Sequence, residues 1–78
     1  MKKIIEKKNK LVQKFEFNNF SEAIEFVNKV ASIAERVNHH PNIKIYWYRY
    51  VAIEIYTYSE NAITQKDYDL ADLIDKIK

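Results

Sequence analysis

The chain has 78 residues, 47% apolar and 31% charged, a net charge of +2 at neutral pH, and neither cysteine nor glycine. That length suits one domain, residues 1–78, which buries a modest share of its surface, so self-association is expected. The composition excludes disulfides, a thiolate nucleophile and a thiolate metal site. It offers no apolar run of membrane-span length and no signal-peptide core, and it carries too little net charge to argue for nucleic acid, so a cytoplasmic location is expected.

Residues 2 to 8 and 10 to 17 read as two strands around a turn at Asn9, because Leu11, Gln13, Phe15 and Phe17 alternate with Val12, Lys14 and Glu16. Lysines crowd this region (Lys2, Lys3, Lys7, Lys8, Lys10, Lys14), a common protection for an edge strand. With no glycine, turns needing positive φ fall to asparagine, and Asn9, Asn18, Asn19, Asn38, Asn42 and Asn61 stand where turns are wanted.

Ser21 offers an N-cap, followed by acids at Glu22 and Glu25 and an apolar stripe through Ala23, Val27, Val30, Ala34 and Val37. This predicts a helix over residues 21–37. Asn38 caps its end, and Pro41 forbids continuation while holding His40 extended. From Ile43 to Tyr58 the chain alternates and breaks near Tyr48-Arg49-Tyr50, predicting a second hairpin. Ile43, Ile45, Trp47, Val51, Ile53, Ile55 and Thr57 face the helices; the tyrosine-rich parity meets solvent, a ligand or another subunit. Thr64 and Asp67 start a closing helix whose apolar face is Leu70, Ala71, Leu73, Ile74 and Ile77. The expected class is α+β: a ββαββα two-layer sandwich with a four-stranded antiparallel sheet and both helices on one face.

The chemistry-bearing residues fall between Glu35 and Asp67, which holds both histidines and five of the six tyrosines. A hairpin pivoting near Arg49 makes opposed residue numbers sum to about 98, which sets Tyr58 across from His40 to within a residue, at a Cβ separation of roughly 5 Å. His39 and His40 are proton-transfer candidates because imidazole titrates near neutrality. The plainer reading has one imidazole on helix carbonyls and the other in solvent. A metal site is not expected, since neighbours in an extended chain point to opposite sides. Asp67 at N3 has a capping role of its own, Glu35 reads as a solvated or carbonyl-adjacent helix residue, and Tyr46, Tyr48, Tyr50 and Tyr56 read as sheet surface or oligomer interface.

These residues resemble the pterin-4a-carbinolamine dehydratase family. The likeness lies in Glu35, His39-His40-Pro41, an aromatic at Tyr48, and Asp67 nine positions after Tyr58. It extends to Phe15-Glu16-Phe17 with Phe20 and Ala23, and to Thr64 through Asp67 to Leu70-Ala71. The resemblance implies a dimer or tetramer that dehydrates 4a-hydroxytetrahydropterin to quinonoid dihydropterin, a hydro-lyase with no metal or organic cofactor. It places His39 and His40 on the departing hydroxyl and Tyr58 where the family carries a third histidine. His39, His40 and Pro41 would form one wall of the pterin pocket, Thr57, Tyr58, Ser59 and Glu60 another, with Asp67 supporting the site. The alternative is a weakly active or inactive member serving as a pterin-binding or protein-interaction and dimerisation module.

Overall fold

The computed structural model describes the backbone of residues 4–7 and all of residues 10–77. The fold is α+β. Strands β1 (Ile4–Lys7) and β2 (Lys10–Glu16) precede helix α1 (Phe20–Val37); strands β3 (Asn42–Tyr46) and β4 (Tyr50–Ile55) precede helix α2 (Gln65–Ile77). The strands form one antiparallel sheet in the order β1-β2-β4-β3. The turn expected at Asn9 lies outside the described residues, and no helix among those described is long and apolar enough to cross a membrane.

Alternation in β2 and β4 creates the core. Leu11, Phe15, Val51, Ile53 and Ile55 pack against Ala23, Phe26, Val30 and Ile33 of α1 and Leu70, Ala71 and Ile74 of α2. Each large apolar side chain buried there contributes about 1.5–3 kcal/mol. Phe26 anchors the α1 side, its ring centroid 4.6 Å from that of Phe15 and 5.0 Å from that of Phe17. Gln13 is the polar exception on this face. It is fully buried and donates its side-chain amide to the Ala71 carbonyl at 3.1 Å, pinning α2 to the middle of the sheet.

The N-cap of α1 is Asn19 rather than Ser21. Asn19 is extended, and its Oδ1 accepts from the Glu22 amide at 2.9 Å, while Glu22 Oε1 accepts from the Asn18 amide at 3.0 Å. That exchange satisfies two donors, whereas a cap at Ser21 would have put Ile24 three residues on with nothing to return. The other end follows expectation: Asn38 adopts φ 55° and its amide closes on the Ala34 carbonyl.

The β3–β4 hairpin pivots on Tyr48, one residue earlier than expected. Tyr46 faces Tyr50 and Asn42 faces Glu54, so opposed numbers sum to 96 and the predicted pairing of Tyr58 with His40 is off by two. The cause is the turn, where Trp47 and Tyr48 both take left-handed backbone, φ 43° and 52°. Glycine enters such backbone without steric cost, and in a chain with no glycine aromatics occupy both positions. A bulky residue there costs about 1–2 kcal/mol. Ring stacking offsets part of this: Trp47 lies parallel to Tyr50 at 5.5 Å, and Tyr46 stacks on Tyr50 at 5.5 Å. Trp47 is therefore 68% exposed rather than turned toward the helices. Arg49 ties the turn to β2, donating Nε to the Phe17 carbonyl at 2.8 Å and pairing with Glu16.

Tyr48 bears the backbone cost, and its one ring contact among the described residues is edge-on to Trp47. Tyr48→Gly is therefore expected to raise stability by about 1 kcal/mol. Trp47→Gly, which also forfeits a stacked ring, is expected to gain less or nothing. Urea midpoints of the two variants check this, and a clear loss in Tyr48→Gly contradicts it.

Candidate active site

The site is built where the end of α1, the strand exit after β4 and the start of α2 meet. Left-handed Asn38 turns the chain out of α1, and the His39 amide still reaches the Ala34 carbonyl at 3.1 Å. This swings the His39 side chain onto α2. Its Nε2 lies 2.6 Å from Oδ1 of Asp67, and Asp67 is fully buried. The other carboxylate oxygen, Oδ2, accepts from the Thr57 hydroxyl at 2.9 Å and from the Thr64 amide at 2.7 Å. The hydroxyls of Thr57 and Thr64 lie 2.8 Å apart. A buried carboxylate is tolerable only when its lone pairs are met, and here three donors converge on it. A carboxylate only accepts, so Nε2 of His39 carries a proton, and in the neutral ring Nδ1 is the nitrogen with the lone pair.

His40 makes the complementary pair in the open. Its Nε2 lies 2.6 Å from Oε2 of Glu35 in the last turn of α1, and both side chains are more than half exposed. Glu35 is thus a partner of the second imidazole rather than a merely solvated residue.

Beyond β4, Thr57 and Ala62 exchange backbone bonds across a tight loop that turns on left-handed Asn61. This loop carries Tyr58 to the site despite the shifted hairpin register. The Tyr58 hydroxyl accepts from Asn42 Nδ2 at 3.3 Å, and its ring stands edge-on to Tyr56 at 4.8 Å. His39, His40, Thr57, Tyr58 and Ser59 line one hollow of about 340 Å³, within the usual range for small-molecule sites.

Not every expected site residue reaches this hollow. Pro41 and Glu60 do not line it: Pro41 leads away into β3, and Glu60 sits in the tight loop, its amide bonded to the Thr57 carbonyl. Asp67 lies beneath His39. Thr57 is buried with its hydroxyl committed to Asp67 and Thr64, so its side chain positions Asp67 instead of offering a free group to a ligand. Asn38, Tyr56 and Lys66 line the hollow without having been singled out for it. Asn38 and Lys66 directly precede His39 and Asp67, and that adjacency was the available signal. Among the described residues no group of three or more His, Cys, Asp or Glu side chains is placed to hold a metal ion.

Comparison with known proteins gives a consistent result. A family model described as pterin 4 alpha carbinolamine dehydratase matches residues 3–77. A protein of Sulfolobus acidocaldarius, provisionally named a pterin-4-alpha-carbinolamine dehydratase, is 46% identical over 70 residues, spanning 90% of this chain and 76% of the relative. A protein of Picosynechococcus sp. with the same provisional name is 45% identical over 69 residues, spanning 88% and 74%. Among solved structures, a transcriptional coactivator/pterin dehydratase from Brucella melitensis superposes with a TM-score of 0.85 at 28% identity, covering 97% of this chain and 80% of the other. A pterin dehydratase-like protein identified as a RuBisCO assembly factor in the alpha-carboxysome shares the fold with a TM-score of 0.75 at 21% identity, covering 96% and 86%.

The two His–carboxylate pairs differ in burial, which makes their energetics separable. Asp67→Ala strands His39, the Thr57 hydroxyl and the Thr64 amide, and is expected to cost about 3 kcal/mol or more. Glu35→Ala breaks an exposed pair and is expected to cost less than about 1 kcal/mol. Equal losses in urea denaturation would contradict this reading of the site.

Proposed function

The chain belongs to the pterin 4 alpha carbinolamine dehydratase family, and from that premise we propose that it dehydrates 4a-hydroxytetrahydropterin to quinonoid dihydropterin. The observation that carries the proposal is one hollow lined by two adjacent imidazoles, each on its own carboxylate.

In this reaction the C4a–O bond breaks and the hydroxyl leaves with an added proton as water. The N5 proton is given up, and its electron pair closes the C4a–N5 double bond. One acid and one base suffice. His39 is the fixed group: Asp67 holds Nε2–H and compensates the charge that appears when Nδ1 takes the N5 proton. His40, in the open beside Glu35, delivers a proton to the departing hydroxyl. Tyr58, standing at the third family histidine, contributes a hydrogen bond to that hydroxyl, since a phenol is a poor proton acceptor at neutral pH. The proposal includes self-association as a dimer or tetramer, supported by the short chain and by the exposed Phe20, Val37 and Trp47.

A second reading, a protein-assembly module, is favoured by the ring cluster at the hairpin tip, where Tyr46, Trp47 and Tyr48 are exposed around a half-buried Tyr50. A fold neighbour's description as an assembly factor supports it. Under this reading Tyr46→Ser disrupts self-association on gel filtration, while changes at the histidines do not.

For the enzyme, His40→Ala is expected to lower the dehydration rate at least about 100-fold with the circular dichroism spectrum unchanged. Tyr58→His is expected to raise it about tenfold, because it restores a group that exchanges protons at neutral pH. Turnover by His40→Ala at the parent rate contradicts the proposal.

A further inference from the structure

The reactive hollow has a neighbour. A groove of about 250 Å³ runs between the C-terminal end of α1 and the outer side of α2, floored by Val37, Leu70 and Leu73 with Asp69 on its rim. The two cavities share Asn38, His39 and Lys66, so Lys66 borders both the hollow and the groove.

Lys66 is unusually placed. It occupies the first turn of α2, where the helix dipole disfavours a cation and favours acids such as the neighbouring Asp67. No carboxylate among the described residues lies within ion-pair distance of its ammonium. The two nearest in sequence are committed elsewhere: Asp67 to His39, Thr57 and Thr64, and Asp69 to the Gln65 side-chain amide at 2.9 Å. Among the described residues no acid pairs directly with this ammonium, so a positive charge borders both cavities against the local helix preference.

We propose that Lys66 is a specificity-determining residue and that the substrate is a reduced pterin whose side chain carries an anionic group. The ring would lie against His39 and His40, with the anion of a short side chain at Lys66, where the two cavities adjoin. This deepens the dehydratase reading and rests on it.

Equilibrium binding of two oxidised, unreactive pterins, 6-carboxypterin and 6-hydroxymethylpterin, tests the charge preference without requiring turnover. Pterin fluorescence is titrated at low salt with the parent protein, Lys66→Met and Lys66→Arg. The parent is expected to bind the carboxylate about fivefold more tightly, the upper end for a solvent-exposed ion pair, with the preference shrinking as salt rises. Lys66→Met is expected to abolish the preference and Lys66→Arg to keep it. Equal binding of both ligands by the parent, or a preference that survives in folded Lys66→Met, overturns the proposal. Histidine-dependent dehydration without a charge preference overturns this inference alone. Failure of the folded parent to bind either pterin overturns the dehydratase reading together with it.

Discussion

The buried carboxylate of Asp67 is the constraint on which the site depends. It joins three segments distant in sequence: the exit of α1 through His39, the strand end through Thr57, and its own helix start through Thr64. An ionised group in that position is stable only if every partner arrives, so its desolvation cost enforces the geometry of all three. The same contacts that close the N-terminus of α2 set the tautomer of His39. Asp67 thus has the structural role its N3 position suggests, and in the proposed reaction the same residue orients the base.

The second imidazole is governed differently. His40 and Glu35 meet in solvent, where an ion pair has little hold on geometry. A fixed, buried pair next to a loose, exposed one gives the hollow two proton-exchanging groups of distinct character. In the proposed reaction the buried one suits a step that depends on alignment with a ring nitrogen, and the exposed one suits exchange with water.

Much of this was legible in the sequence, because it follows from periodicity and capping. The α1 stripe, the Asn38 cap, the alternation from Ile43 and the Thr64–Asp67 helix start each have a local physical cause, and each produced an element near its expected place. What was not legible depended on competition between local solutions. Asn19 displaced Ser21 as the cap because only Asn19 has Glu22 three residues on. Trp47 and Tyr48 took left-handed backbone that asparagine would enter at lower cost, and this moved the hairpin pivot by one and the pairing register by two. Tyr58 reaches His40's side of the site by the loop around Asn61 instead of by strand pairing. The histidines and Tyr58, singled out by residue type, come to one hollow; Lys66, brought there by packing, gave no such signal, and Thr57 is turned inward as the alternation from Ile43 had indicated.

The most direct test of the account is the tautomer of His39, read from the nitrogen-15 shifts of its imidazole in the folded parent protein at a pH where the ring is neutral. The account predicts a protonated Nε2 facing Asp67 and an unprotonated Nδ1 available to take a proton from substrate. A ring protonated at Nδ1, with Nε2 bare, would mean that Asp67 does not orient the base and would contradict the mechanism at its root.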